Sequence, residues 1–138
     1  MHNLYLALGS NLGKRHDNIM RALELIDQRV GAVYRVSSLI ETEPWGFSSP
    51  NRFVNAVCLV HTMLSPRLCL EETQLIEREM GRTEKSSEKG GYADRIIDID
   101  LLMYDHLEME EAGLVLPHPH MQERDFVMGP LREIMGQP

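Results

Sequence analysis

A strongly apolar segment, Arg95 to Tyr104, constrains the fold most, because it carries two aspartates among its aliphatic residues. Side chains alternate between the two faces of a β-strand. In a strand here, one face holds Asp98, Asp100, Leu102 and Tyr104, and the other holds Ile97, Ile99, Leu101 and Met103. Since both faces are apolar toward the C-terminal end, we expect this strand in the middle of a sheet, with the aspartates where the sheet meets a cleft.

The two aspartates, Asp98 and Asp100, require a positive partner. Residues two apart on one strand face are separated by about 7 Å, and two carboxylates at that distance repel by roughly 2 kcal/mol at an effective dielectric near 20. Arginine or lysine side chains would hold them, and so would a hard divalent cation such as Mg²⁺. The Asp-x-Asp pattern alone leaves both interpretations open.

Composition favours a small protein that binds neither nucleic acid nor membranes. A chain of 138 residues with 43% hydrophobic residues predicts a single domain over residues 1–138. Its net charge of 14 − 21 = −7 argues against nucleic acid and anionic membranes as partners. Cys58 and Cys69 lack metal-ligand spacing, which indicates reduced thiols. With no signal peptide or transmembrane run, we expect a cytoplasmic protein. We separately expect a monomer.

Hydrophobic periodicity predicts alternating strands and helices. The strands are expected at Asn3–Leu8, Ala32–Ile40 and Phe53–His61, and the helices over residues 17–30, 66–80, 121–128 and 131–135. Pro130 is expected to interrupt the last helical region. In the second helix Leu68 and Leu75 are expected to face the core. Gln74 and Glu77, three residues apart, either lie on a solvated face or reach one ligand together.

Three local features are ambiguous between packing and ligand binding. The turn Gly9-Ser-Asn-Leu-Gly13 is not a P-loop, and either closes a strand or lets the backbone approach a ligand. Trp45 and Phe47 in a Pro- and Gly-rich loop either cover the core or close over a planar ligand. Asn55, between Phe53 and Val57 on a strand face, needs either a backbone partner or a heterocycle with donors and acceptors.

The segment from Gly81 to Arg95 is long, irregular and mixed in charge. Its basic residues are Arg82, Lys85, Lys89 and Arg95, and its acidic residues are Glu84, Glu88 and Asp94. Loops of this length without secondary structure are typically functional lids or disordered segments, and this one runs directly into the aspartate strand. The basic groups therefore suggest a clamp for a metal-bound polyphosphate, although an ordinary charged surface loop has the same composition.

Taken together, these motifs resemble the 6-hydroxymethyl-7,8-dihydropterin pyrophosphokinase family. No single motif is specific, but their order and spacing across nearly the whole chain are. The matching segments are Gly9-Ser-Asn-Leu12, Thr42-Glu-Pro-Trp-Gly46, Phe53-Val-Asn55, Gln74 with Glu77, Gly81-Arg82, Arg95-Ile-Ile-Asp-Ile-Asp-Leu-Leu102, and Leu116-Pro-His-Pro119 with Arg124 and Phe126.

This resemblance implies a ferredoxin-like α+β fold, mainly an antiparallel sheet with helices packed on it. It also implies transfer of a pyrophosphoryl group from ATP to 6-hydroxymethyl-7,8-dihydropterin in folate biosynthesis, with release of AMP. A non-catalytic ligand-binding or regulatory module on the same fold is the alternative. Two residues depart from the family pattern. Glu84 stands where a second basic residue of the loop is expected, and Glu43 stands in the pterin loop where an apolar residue is more usual.

The resemblance also implies roles for individual residues. Asp98 and Asp100 correspond to ligands of two Mg²⁺ ions that bridge the ATP phosphates, and Arg82 and Arg95 to phosphate-binding groups that act with them in catalysis. The ATP side would include Gln74, Glu77, Arg82, Arg95, Ile99, His118 and Arg124. The pterin side would include Thr42, Pro44, Trp45, Phe53, Asn55 and Phe126, with the ring stacked between the two phenylalanines.

Overall fold

The computed structural model describes residues 1–43, 50–81 and 95–136. A single 3₁₀ turn, Met121–Glu123, precedes the last helix. The helices and strands in chain order are β1 (His2–Ser10), α1 (Arg15–Arg29), β2 (Gly31–Val36), β3 (Ile40–Thr42), β4 (Phe53–Thr62), α2 (Pro66–Glu79), β5 (Asp98–Tyr104), β6 (Met109–Glu111), β7 (Leu114–Leu116) and α3 (Asp125–Met135).

The described strands form one large antiparallel sheet and one small hairpin. The large sheet has the order β2-β4-β1-β5, with β3 also paired to β4, and β6 pairs with β7. β1 is central and pairs antiparallel with both β4 and β5. This arrangement is the mainly antiparallel α+β sheet that the sequence predicts.

Helices cover both faces of the sheet, which explains why β1 and β4 are apolar on both sides. Alternate residues of β4, Val54 and Cys58 among them, pack against α1 and α2. The intervening Val57 and Leu59 pack against α3. Each fully buried aliphatic side chain contributes about 1.5–3 kcal/mol relative to an exposed one. The two faces of β4 are therefore buried in two separate clusters of apolar side chains.

The aspartate strand β5 lies at the edge of the described sheet, so its predicted central position is wrong. Within the described residues it pairs with β1 alone. Its outer backbone groups bond to other segments instead: the Ile99 amide donates to the Glu77 carboxylate at 2.7 Å, and the Leu102 carbonyl accepts from the His118 amide at 2.8 Å. An edge covered in this way has the same apolar pattern as a central strand.

A register shift in β5 changes which residues share the aspartate face. Leu6 of β1 pairs with Leu101, but the preceding Tyr5 pairs with Met103, so Leu102 is an extra residue in the ladder. Leu102 and Met103 both lie on the α3 side, while Tyr104 packs with the α1 and α2 side. The predicted faces of Met103 and Tyr104 are therefore wrong, because a β-bulge inverts the alternation beyond it.

The predicted strand Ala32–Ile40 is split into β2 and β3. The interruption falls at Ser37, whose amide donates to the Val57 carbonyl and whose hydroxyl accepts from the Val57 amide. Among the described strands, β2 lies at the edge of the large sheet opposite β5. The sequence pattern did not show the break, since a side-chain hydrogen bond replaces one ladder bond without altering the periodicity.

The helices also differ from the prediction in detail. Ser65 caps α2, since its hydroxyl accepts from the Leu68 amide. Leu68 and Leu75, expected in the core, are 46% and 42% exposed. Pro130 does not interrupt the last helix but lies inside α3. Proline has no backbone N–H to donate, but α3 continues through Pro130 because the buried side chains of this helix hold the helix against the sheet.

Candidate active site

A cleft opens where β1, β4 and β5 meet the start of α3. Eight of the site residues predicted from the sequence line it: Thr42, Phe53, Asn55, Arg95, Asp98, Asp100, Arg124 and Phe126. They come from four separate segments of the chain, so the fold brings together groups that are up to 84 positions apart in sequence (42 to 126). These residues therefore meet in one cleft because the folding of the sheet and of α3 brings their segments together.

Two arginines flank the aspartates inside the cleft. Arg95 Nη1 lies 3.1 Å from Asp98 Oδ1, and Arg124 Nη1 lies 3.8 Å from Asp100 Oδ2. Both arginine side chains are 8% exposed, whereas the aspartate side chains keep 24% and 34% of their surface exposed. Arginine partners, one of the two possibilities that the sequence left open for these aspartates, are thus present. Both carboxylates also face the cleft.

The Asp100 carboxyl group is held where a negative charge is unfavourable. Burial and, next, the nearby Asp98 carboxylate raise the pKa of Asp100 to about 8, although Arg124 acts in the opposite direction. A carboxyl group with this pKa is mostly protonated at neutral pH unless further positive charge is supplied. The pair of carboxylates is therefore electrostatically suited to a cation.

The available donors fit a hard divalent cation better than zinc. In residues 1–43, 50–81 and 95–136, no three side chains of histidine, cysteine, aspartate or glutamate are grouped as metal ligands. Mg²⁺ uses one or two carboxylates and completes its octahedron with water and phosphate oxygens. Asp98 and Asp100 are the residues that could hold such an ion.

One end of the cleft combines aromatic rings with a buried amide. Asn55 is 5% exposed, and its Nδ2 donates to the Thr42 hydroxyl. The partner is thus a side chain that itself lines the cleft, instead of the backbone group considered from the sequence. Phe53 and Phe126 line the same space, and the Arg124 guanidinium lies 5.8 Å from the centroid of the Phe126 ring.

Gly9 is a site residue to which the sequence analysis gave no certain role. A Cβ atom at this position would lie 3.0 Å from Asn55 Oδ1 and 3.3 Å from the Phe53 ring. Only glycine lets the end of β1 approach these two side chains so closely. Of the two interpretations of the glycine turn, close approach of the backbone to the ligand site is the one that this contact supports at Gly9.

A second cavity, of about 260 Å³, lies on the outer side of β5. It is bordered by Leu70 of α2, by Ile99 and Asp100 of β5, and by the segment from Gly113 to Pro119, which includes His118. Burial and then Arg124 lower the pKa of His118 to about 4, so its imidazole is neutral near pH 7. Asp100 borders both this cavity and the cleft.

Glu77 is buried, contrary to the solvated face that its spacing favoured, and its partner Ile99 borders the second cavity. It is 8% exposed, and its carboxylate accepts from the Ile99 amide. Gln74 is half-buried one turn earlier and is not among the residues that border either cavity. The spacing of α2 did not identify Glu77 because its partner is a backbone amide on a distant strand.

Asn11, which is 2% exposed, received no role of its own from the sequence. The backbone N–H of Asn11 donates to the Arg95 carbonyl at 3.1 Å, and its side-chain Oδ1 accepts from the backbone N–H of Arg95 at 2.7 Å. The only sequence signal was its place in the Gly9–Gly13 turn. Several predicted residues lie outside the described residues: Pro44, Trp45, Phe47, Arg82, Glu84, Lys85 and Lys89.

The fold and the cleft together define an α+β protein with a candidate ligand site at one end of an antiparallel sheet. The family described as 7,8-dihydro-6-hydroxymethylpterin-pyrophosphokinase (HPPK) matches residues 5–136. The chain therefore belongs to the HPPK family, as the sequence motifs indicated. None of the helices in residues 1–43, 50–81 and 95–136 is long and apolar enough to span a membrane.

Curated relatives bear the corresponding enzyme name. The chain is 49% identical over 132 residues to 2-amino-4-hydroxy-6-hydroxymethyldihydropteridine pyrophosphokinase of Porphyromonas gingivalis, an alignment that covers 95% of this chain and 89% of the relative. It is 40% identical over 139 residues to the protein of that name from Bacillus subtilis, covering 99% of this chain and 81% of the relative.

Solved structures share the fold at low sequence identity. A crystal structure of HPPK-DHPS in complex with substrates has a TM-score of 0.75 and 14% identity, and covers 97% of this chain. Plasmodium falciparum HPPK-DHPS wild type with SDX-DHP has a TM-score of 0.73 and 15% identity, and covers 96% of this chain. This chain spans about 40% of the length of those chains. The predicted ferredoxin-like α+β class is confirmed by this likeness.

Proposed function

We propose that the protein transfers the pyrophosphoryl group of ATP to 6-hydroxymethyl-7,8-dihydropterin, with formation of AMP and the pterin diphosphate, in folate biosynthesis. Membership of the HPPK family and the names of its curated relatives support this activity. The structural observation that carries it is the position of Asp100, which borders both the aromatic cleft and the outer cavity. Two substrates bound in these two spaces would meet at this carboxylate.

The aromatic cleft is the proposed pterin site. A pterin is a flat heterocycle with donors and acceptors along one edge, and it suits a cleft that offers two phenylalanine rings and an amide. We assign the ring faces to Phe53 and Phe126 and the polar edge to Asn55, which Thr42 orients. Pro44 and Trp45 are proposed to complete this site from outside the described residues.

The outer cavity is the proposed site of the adenosine part of ATP. Ile99 offers strand backbone and an apolar side chain there, and His118 offers a neutral imidazole. Gln74 and Glu77 are assigned to the same side. The polyphosphate would then extend past Asp100 toward Arg95 and Arg124, whose charges balance its own. Arg82 is proposed to join them.

Asp98 and Asp100 are the proposed ligands of two Mg²⁺ ions. The ions would neutralise phosphate charge while ATP oxygens and water complete their coordination. The chain itself would position the pterin hydroxymethyl group, whose oxygen would bond to the β-phosphorus and release its proton to solvent as the bond from that phosphorus to the α,β-bridging oxygen breaks and AMP leaves. Because alignment and charge neutralisation account for most of phosphoryl transfer, no protein base is assigned.

We further propose that residues 1–138 form one domain that acts as a cytoplasmic monomer and requires neither nucleic acid nor a membrane. The net charge of −7 supports the absence of a polyanionic partner. The alternative of a non-catalytic regulatory module is not favoured, because the curated relatives are named as pyrophosphokinases.

Product analysis tests the proposed function. The purified protein is incubated with ATP, Mg²⁺ and 6-hydroxymethyl-7,8-dihydropterin, and AMP is separated from ADP by chromatography. We expect AMP that depends on the pterin and disappears with EDTA. Formation of ADP would indicate ordinary phosphoryl transfer, and a folded protein without turnover would support the regulatory module instead.

A further inference from the structure

Asn11 connects three segments of the chain through a single buried side chain. It follows directly after β1 and is 2% exposed. It exchanges two hydrogen bonds with the backbone of Arg95, and its Nδ2 donates to the Asn51 carbonyl at 3.3 Å. One amide therefore contacts the residues that lead into β4 and into β5, which are both neighbours of β1 in the sheet.

Each of these contacts leads to a different half of the site. Arg95 carries the guanidinium that lies 3.1 Å from Asp98, so its backbone position governs the carboxylate half. Asn51 lies two positions before Phe53, the first residue of β4 and part of the aromatic half. The two halves are thus joined at Asn11, on the side of the cleft where the strands begin or end.

We propose that Asn11 is a positioning residue that fixes the spacing between the aromatic half and the carboxylate half of the site. The inference rests on the proposed function, because the spacing matters when one substrate occupies each half. Asn11 does not line the cleft and is assigned no contact with substrate. It acts through the backbone of Arg95 and through Asn51.

Asparagine is suited to this position because it offers one acceptor and one donor at the same carbon. The acceptor takes the Arg95 amide and the donor serves the Asn51 carbonyl. Aspartate keeps the acceptor but has no donor for the second contact, and alanine has neither. Misplacement of reacting groups by about 1 Å can lower a rate on the order of 100-fold.

The neighbouring Asn18 provides a matched control. Its Nδ2 donates to the Ser10 hydroxyl at 3.2 Å and to the Leu12 carbonyl at 2.9 Å, so it stabilises the same turn. None of the hydrogen bonds described for its side chain reaches Arg95 or Asn51. Asn18→Ala therefore weakens the turn through a different amide and separates general destabilisation from loss of the specific connection.

The experiment compares the wild type with Asn11→Ala, Asn11→Asp and Asn18→Ala. Three quantities are measured: kcat per active site, with sites counted by ligand titration; the Kd of each substrate bound alone; and the hydrogen-exchange rate of the Arg95 amide. Counting active sites removes the effect of any unfolded fraction from kcat.

We expect Asn11→Ala to lower kcat on the order of 100-fold while the separate Kd values change much less, because each half remains intact. Asn11→Asp should lower kcat as well, yet keep slow exchange at the Arg95 amide, since its carboxylate still accepts that proton. Asn18→Ala should retain a kcat close to that of the wild type. Should Asn11→Ala fail to fold, Asn11→Asp carries the same test.

Two outcomes would overturn the inference alone: a kcat for the Asn11 variants equal to that of Asn18→Ala, or a loss that lies entirely in the Kd of one substrate. A wild-type protein that forms no pterin-dependent AMP would instead overturn the proposed function, and this inference with it. The wild-type assay therefore distinguishes the two failures.

Discussion

The Glu77 carboxylate accepts a 2.7 Å hydrogen bond from the Ile99 amide, which lies between the two aspartates of the site. This contact ties α2 to the outer edge of β5. An edge strand otherwise presents unpaired backbone donors, which attract other strands and are costly when buried. Glu77 therefore serves the strand that carries Asp98 and Asp100 in addition to its proposed place beside the nucleotide.

Replacement of Glu77 by alanine should destabilise the fold through the Ile99 amide. We expect the free energy of unfolding to fall by about 1–3 kcal/mol, the cost of a buried donor left without its acceptor. Glu77→Gln keeps an acceptor oxygen and should recover most of this loss. Denaturant unfolding of both variants, with the exposed Glu71→Ala as control, checks the prediction. Equal destabilisation by Gln and Ala would contradict it.

The carboxylates Asp98 and Asp100 should be required for turnover but not for folding. Asp98→Asn and Asp100→Asn each remove a proposed metal ligand of nearly unchanged size. Since metal-ion stabilisation of a transition state is worth several kcal/mol, we expect kcat to fall by about 100-fold or more. Thermal unfolding and AMP formation are measured side by side, with the exposed Glu108→Gln as a control for charge. Normal turnover in both aspartate variants would disprove the metal assignment.

Phe53 should contribute to pterin binding more than to ATP binding. Loss of one stacking face typically costs about 1–3 kcal/mol for a planar base. We therefore expect Phe53→Ala to weaken pterin binding by that amount and to leave ATP binding nearly unchanged, as measured by calorimetry with each ligand. Tyr34→Ala, which removes an aromatic ring that is 59% exposed on β2, is the control. If both affinities fell equally, Phe53 would be a packing residue.

Arg95 should act on catalysis more than on pterin affinity. Its guanidinium is 8% exposed beside Asp98, in line with a phosphate-binding role. Loss of a preorganised charged donor costs on the order of 100-fold in kcat. We expect this loss in Arg95→Ala with a smaller change in pterin Kd, whereas Arg21→Ala, on the surface of α1, should behave as the wild type. Normal turnover of Arg95→Ala would rule out the clamp.

Asp105 should give the fold a measurable pH dependence. The Asn3 amide and then His2, each 2.7 Å from the carboxylate, lower the pKa of Asp105. A carboxyl group with a lowered pKa in the folded state stabilises the protein above its ordinary pKa of about 3.9, and this contribution is lost as pH falls through that value and below.

The test of this pH dependence is Asp105→Asn. Asparagine suits the backbone there, because residue 105 has a φ of 52° and asparagine tolerates that region. We expect the variant to lose less than about 1 kcal/mol of unfolding free energy near pH 7, since the group is exposed. The difference from the wild type should shrink between about pH 5 and pH 3. A difference that does not vary with pH would show that the charge of Asp105 is not responsible.

Features that depend on local periodicity were predictable from the sequence. The two faces of β4, the buried side of α1 and the Ser65 cap of α2 all follow from residue spacing and hydrogen-bonding chemistry. The residues gathered in the cleft, such as Phe53 and Asp98, were identified because motif order across the chain resembles one family. Their proposed roles remain predictions, because proximity alone does not assign chemistry.

Features that depend on contacts between distant segments were not predictable. The bulge at Leu102 reversed the faces expected for Met103 and Tyr104, since it arises from pairing with β1. Glu77 looked like a surface residue because its partner, the Ile99 amide, is on another element. The spacing of apolar residues cannot predict that a side chain will form a hydrogen bond with a backbone group on a distant segment.

The sequence by itself therefore determined most of the strands and helices, the apolar faces of β1 and β4, and the family to which the chain belongs. Only the tertiary structure decided that the aspartate strand lies at a sheet edge and that Asn11 joins Arg95 to Asn51. The reason is physical. Burial is nonspecific and is encoded residue by residue, whereas directional hydrogen bonds require two particular groups to meet, and that meeting exists only in the folded chain.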